Sequence, residues 1–129
     1  MKIGIVALAA LVATSFAGAA CAGERELKDA LELFYVKKGA MGTVACDTKK
    51  EGSNTYVYCY PARLSSADAT GGLYALRENP PGIIPLNGKA QTHTQKLSNI
   101  ETVNGSRIPL VEAPQELRLK VSTIRDMFR

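Results

Sequence analysis

The sequence predicts an α+β domain: a small antiparallel sheet, an N-terminal and a C-terminal amphipathic helix packed on it, and one disulfide across a hairpin. Three observations predict it. Apolar residues recur at helical spacing near both ends of residues 23–129. Short β-branched and aromatic runs lie between them, divided by Gly, Pro and Asn turn signals. Two of the three cysteines fall opposite each other across the tightest of those turns. A chain of 129 residues, 46% apolar and 22% charged, is sized for one domain.

Residues 1–22 read as a signal peptide. Lys2 is followed by an uncharged run from Ile3 to Ala22 that loses hydrophobicity through Thr14, Ser15, Gly18 and Ala19, as a cleaved signal does and a membrane anchor of roughly 20 strongly apolar residues does not. Small residues permit cleavage after Ala19, Ala20 or Ala22. Gly18-Ala19-Ala20-Cys21 also approaches a lipoprotein box, which would acylate Cys21 and tether the protein to a membrane. Cleavage after Ala22, or lipidation of Cys21, leaves Cys46 and Cys59 as a pair suited to an oxidising compartment. The expected location is therefore periplasmic or secreted, with 23–129 as the single domain.

The first helix follows from Leu27, Ala30, Leu31 and Phe34, which form one stripe. Glu24, Glu26 and Asp29 occupy its start and Lys37 and Lys38 its end, the order that suits the helix dipole; Gly39 is placed to cap it. Next, Gly42–Lys50 and Thr55–Tyr60 flank a turn. With Gly52-Ser53 as a type II′ turn, Glu51 pairs with Asn54, Lys50 with Thr55, Asp47 with Tyr58 and Cys46 with Cys59. Counting outward from the turn, the cysteines meet on an open rung, where side chains approach most closely. A structural disulfide is expected. A redox pair would favour Cys-x-x-Cys spacing, and a zinc site would need two more ligands where His93 is the only histidine.

The alternation places Val44, Cys46, Thr48, Val57 and Cys59 on one face of the hairpin, and Ala45, Asp47, Tyr56, Tyr58 and Tyr60 on the other. Tyr56, Tyr58 and Tyr60 are candidates for a binding face, since aromatic rings offer large contact area at low entropic cost. Sheet packing beneath a helix, with hydroxyls reaching the rim, is the favoured alternative.

Beyond the turn-rich stretch Pro61–Gly72, Gly72–Leu76 reads as a strand and Arg77–Gly82 as a loop around Pro80 and Pro81. Ile83–Leu86 reads as a short edge strand, and Asn87-Gly88 as a turn. Lys89–Ile100 leans helical. Asn104-Gly105 makes a further turn before Arg107–Val111. Pro114 suits a first helical position, and Leu117, Val121, Ile124 and Phe128 form the closing stripe with Arg118, Lys120, Arg125 and Arg129 facing away from it.

A strand ending in Cys46, then Tyr74-Ala75-Leu76, Pro85-Leu86-Asn87-Gly88-Lys89-Ala90 and Ile108-Pro109-Leu110, resembles a family of small bacterial periplasmic proteins of unknown function, some encoded beside copper-resistance genes. The resemblance spans about residues 42–111 and rests chiefly on the Asn-Gly-Lys-Ala turn. Those proteins tend to end in a cysteine, where this chain has Phe128-Arg129, and Cys59 has no obvious counterpart among them. The resemblance implies an α+β periplasmic domain and no particular activity.

The chemical inventory is sparse. Met41, Met127 and His93 are scattered without copper-ligand spacing, and no catalytic or phosphate-cradling motif is present. No metal or other cofactor is expected. A formal charge of +4 bears on solubility rather than nucleic acid. The expected function is an exported, non-enzymatic domain that binds a protein or envelope component as an accessory, inhibitor or immunity-type protein. The alternative is a small metal-handling protein or hydrolase using His93.

Overall fold

The computed structural model describes residues 23–129; the segment read as a signal peptide, with Lys2 and Cys21, lies outside the described residues. The first helix, α1 (Glu24–Lys38), ends where Gly39 turns left-handed at φ 67° and donates its N–H to the Tyr35 carbonyl, a conformation that glycine adopts without the steric cost of a Cβ. Leu27, Ala30, Leu31 and Tyr35 are its buried residues. The stripe therefore continues from Leu31 to Tyr35, and Phe34 packs at its border.

Four strands follow in a meander of order β1-β2-β3-β4: β1 (Val44–Glu51), β2 (Asn54–Pro61), β3 (Gly72–Glu78) and β4 (Pro81–Pro85). The β1–β2 register is the expected one, from Glu51 opposite Asn54 to Cys46 opposite Cys59. Gly52 has φ 60°, while Lys96 is the one non-glycine residue with positive φ among the described residues. Ser53 therefore has negative φ, and the turn is type II′. Ala62 donates its N–H to the Thr43 carbonyl at 2.8 Å. By alternation, odd-numbered residues of β1 bond to β2, and Val44, Cys46, Thr48 and Lys50 turn their N–H and C=O groups to the outer edge.

The expected loop at Arg77–Gly82 is shorter than the prolines implied. β3 runs on to Glu78, and Pro81 already opens β4, so only Asn79 and Pro80 turn the chain. Pro81 is tolerated because it is the first residue of an edge strand. The outer side of β4 is partly covered: Val111 donates to the Ile83 carbonyl at 2.9 Å.

The Lys89–Ile100 segment departs from the helical expectation. A short α2 (Gly88–His93) ends at Thr94, Lys96 turns left-handed, and β5 (Asn99–Glu101) pairs with β6 (Arg107–Pro109). The closing segment is two helical pieces, α3 (Gln115–Arg118) after Pro114 and α4 (Val121–Asp126). At the break, Lys120 bonds back three residues to Leu117, just before Val121-Ser122-Thr123, three weak helix formers.

Two apolar clusters flank the sheet. Leu27, Leu31, Tyr35, Val57, Tyr74, Ile83, Ile100 and Ile108 belong to the cluster beneath α1 and the β5–β6 hairpin. Tyr56, Tyr58, Leu73, Ile84, Ile124 and Phe128 belong to the cluster on the opposite side, beneath the C-terminal helices. Among the described residues no helix is long and apolar enough to cross a membrane.

Candidate functional site

Cys46 and Cys59 form a disulfide with Cα atoms 4.1 Å apart. That close approach is what an open antiparallel rung provides. The bond lies on the α1 side of the sheet with Cys59 fully buried, so it ties the edge strand β1 to the sheet interior.

Tyr56, Tyr58 and Tyr60, the candidate binding face, lie under the C-terminal helices and are 0%, 1% and 9% exposed. Tyr58 stacks on Tyr60 and meets the Phe128 ring, each with centroids 5.7 Å apart. Its hydroxyl donates to the Ala69 carbonyl and accepts from the Gly71 N–H, both at 2.7 Å. The Tyr60 hydroxyl donates to Asp47 Oδ2 at 2.8 Å. These rings are occupied by the chain itself and do not form an open platform.

Arg125 does not face away as the helical wheel implied. Its guanidinium lies 4.1 Å from the centroid of the Tyr58 ring, and Nη2 donates to the carbonyls of Ser66 (2.7 Å) and Ala69 (3.1 Å). One cation thus fixes the 61–72 connection over the tyrosine face. The guanidinium suits this work because its plane stacks on the ring while its edge supplies donors.

On the α1 side, a buried polar chain joins three elements. The Tyr74 and Tyr35 hydroxyls are 2.5 Å apart, and Tyr35 Oη is 2.8 Å from His93 Nδ1. Tyr74 donating to Tyr35, and Tyr35 to Nδ1, uses every hydroxyl hydrogen and leaves the imidazole proton on Nε2. Burial pushes the Tyr35 hydroxyl up to about 12, and raises Tyr74 further, with Tyr35 beside it adding to the effect. His93 is held below its ordinary value, first by burial and then by the charges of Lys89 and Lys38. All three groups are neutral at pH 7. The packing around them is close: a Cβ at Gly72 would stand 2.4 Å from Tyr35 Oη.

Asn87 joins strand to helix. Its Oδ1 accepts from the N–H groups of Leu73 (3.0 Å) and Ala90 (2.9 Å), and its Nδ2 donates to the Gly71 carbonyl (2.9 Å). The Asn-Gly-Lys-Ala run is therefore a helix N-cap that also clasps the start of β3, which explains the turn signal in physical terms.

Among the described residues no group of three His, Cys, Asp or Glu side chains gathers to hold a metal. Met41 packs against the α1-side cluster and Met127 against the tyrosine-side cluster, so the sheet separates them.

Where the cover of C-terminal helices ends at Leu117, a cleft borders the turn end of the tyrosine face. Register puts Tyr56, Ala75 and Ile84 in one row across β2, β3 and β4, and Arg77 opposite Gly82. Around that end Lys50, Asn54, Ala75, Arg77, Ile84 and Leu117 line the cleft, about 490 Å³ in volume. Arg77 Nε donates to the Pro80 carbonyl at 2.8 Å, which steadies the guanidinium at the cleft. The Tyr56 hydroxyl is buried without a partner among the described residues, its pKa raised by burial and then by Glu51.

Sequence reasoning missed the Tyr35–Tyr74–His93 chain, the Arg125 clasp and the cleft. Only the first left a local signal: Leu27, Leu31 and Tyr35 stand at i, i+4 and i+8. No protein-family model matches the chain, and no curated protein or solved structure matches it.

Proposed function

We propose that this is an exported, disulfide-braced binding domain without catalytic activity, and that the cleft lined by Asn54, Ala75, Arg77, Ile84 and Leu117 receives a protein or envelope component. The cleft carries the reading. It pairs an apolar floor, Ala75 and Ile84, with the Arg77 guanidinium steadied at the Pro80 carbonyl and the exposed Asn54 amide, the mixture by which concave sites orient a ligand. The Lys2–Ala22 segment and a disulfide suited to an oxidising compartment support export to the periplasm or beyond. The resemblance to small periplasmic proteins agrees with it.

The hydrolase or metal-handling alternative depends on His93. That imidazole is 8% exposed and its Nδ1 lies against the Tyr35 hydroxyl, which leaves it poorly placed to meet a substrate. The test uses the protein as its producing cell processes it. Immobilised protein is expected to capture a specific component of envelope extract, Arg77→Glu to lose that capture, and His93→Ala to keep it. Capture unaffected by Arg77→Glu would remove the cleft from the proposal, and capture lost with His93→Ala in a folded variant would favour the alternative. Intact mass tests export: a chain retaining Met1–Ala19 contradicts it, and an added lipid mass on Cys21 makes the protein membrane-tethered.

A further inference from the structure

We propose that the open edge of β1 pairs with the same edge of a second copy of this chain, antiparallel, with Thr48 opposite Thr48. This surface is separate from the cleft's floor, and the inference does not rest on the function proposed above.

The first observation is the backbone. β1 is the outermost strand of its sheet, whereas β4, the other edge, is partly covered by Leu110 and Val111. The outward N–H and C=O groups of Val44, Cys46, Thr48 and Lys50 have no backbone partner among the described residues. Such a row is a template for another strand.

The second observation is charge, and it selects the register. Outward groups sit only on even-numbered residues, so even must meet even across the new contact. With Thr48 on the axis, Cys46 faces Lys50, Ala45 faces Glu51, and Asp47 faces Lys49. Two-fold symmetry repeats the Asp47–Lys49 pair, so both strands gain an unlike-charge neighbour on the tyrosine side of the sheet. Shifting the axis toward Asp47 sets Asp47 against Asp47. Shifting it toward Lys49 sets Lys49 against Lys49 and Asp47 against Glu51. Like charges directly opposite are destabilising. Of these three registers, only the one centred on Thr48 opposes unlike charges without opposing like ones.

The pairing joins two four-stranded sheets into one of eight strands, within the usual range for open sheets. The axis is perpendicular to the sheet. The α1 side of one copy therefore continues as the α1 side of the other, and the two tyrosine faces likewise.

Lysines on an edge also serve as guards against such pairing, and the experiment separates the two roles. Sedimentation velocity of the processed protein across a concentration series is expected to show a reversible monomer–dimer equilibrium that weakens with added salt. Lys49→Asp replaces both attractions with repulsions and should raise the dissociation constant at least about tenfold. Thr48→Pro removes an outward N–H that β2 does not use, and should leave a folded monomer. Asp47→Lys and Lys49→Asp each repel themselves, yet their mixture restores both unlike pairs, so it should sediment as a dimer where each alone does not. Circular dichroism checks that each variant is folded; Asp47→Lys also gives up the Tyr60 bond, and if it fails to fold, Lys49→Asp and Thr48→Pro decide the matter. A monomer up to the solubility limit would overturn the proposal and assign Lys49 and Lys50 to guarding the edge. A dimer that persists in both Thr48→Pro and Lys49→Asp would overturn it by placing the interface elsewhere.

Discussion

Tyr35→Phe is the sharpest probe of the buried polar chain. The substitution removes one oxygen and leaves the ring, so the packing of α1 against the sheet is nearly unchanged. That oxygen serves two neighbours at once, Tyr74 Oη at 2.5 Å and His93 Nδ1 at 2.8 Å. Tyr74 is fully buried and His93 nearly so, and each loses its hydrogen-bond partner. Leaving a buried polar group unpaired costs about 1–3 kcal/mol, so two such groups predict a loss of about 2–6 kcal/mol. Tyr74→Phe is the control. It removes the end of the chain, Tyr35 still donates to His93, and the cost should be about 1 kcal/mol. Urea unfolding followed by far-ultraviolet circular dichroism measures both, provided the denaturant slope is shared. Equal losses in the two variants, or a Tyr35→Phe protein as stable as the parent, would refute the idea that Tyr35 is the hub.

Gly72→Ala should be destabilising by about 2–3 kcal/mol through collision with Tyr35 and Tyr74, while Gly88→Ala, with open space around it and a helix start to favour it, should be neutral or slightly stabilising in the same assay. The lowered His93 pKa gives an acid limb: the unfolded chain takes up its proton first, so stability is complete above about pH 6.5 and falls as pH drops below it, and His93→Gln should flatten that limb in urea midpoints measured against pH. At the alkaline end the sign reverses, because Tyr35 in the fold holds its proton up to about 12 and the unfolded chain releases it near 10, so stability declines above about pH 10. Replacing Cys46 and Cys59 by Ala opens a loop of sequence separation 13, which in the chain-entropy model costs about 3 kcal/mol, and calorimetry should show a lower transition temperature with the fold retained. Arg125→Ala should cost about 2–4 kcal/mol by loss of the Tyr58 contact and the carbonyl bonds, and Arg125→Lys should recover less than about half of it.

How much of this was legible depends on the range of the forces involved. The β1–β2 register was readable because Gly52 fixes a two-residue turn, and every pair through Cys46–Cys59 follows from it. The end of α1 at Gly39 and the C-terminal stripe of Leu117, Val121, Ile124 and Phe128 were readable for the same local reason. β5 was not, since its three residues hold a single buried side chain, Ile100, and one apolar residue carries no period. Arg125 was misassigned because a helical wheel knows only its own helix, and the groups that hold this side chain are nearly sixty residues earlier. The Tyr35–His93 contact, also bridging 58 residues, lies beyond any local pattern. The cleft is a boundary effect: it exists where the roof stops at Leu117, and nothing local marks where a roof stops.

The two faces of the sheet differ in when their covers are made. α1 precedes the strands, so the side carrying Val57, Cys59 and Tyr74 has its helix waiting as each strand is added. The tyrosine row of 56–60 is covered by residues as late as Ile124 and Phe128. At a usual pace of synthesis that interval is roughly 3–14 s, far longer than a hairpin needs to form. A sheet formed in that interval would carry the rings of Tyr58 and Tyr60 bare on one side until Arg125 and Phe128 join it, while the other face, already under α1, would wait only for Ile100 and Ile108.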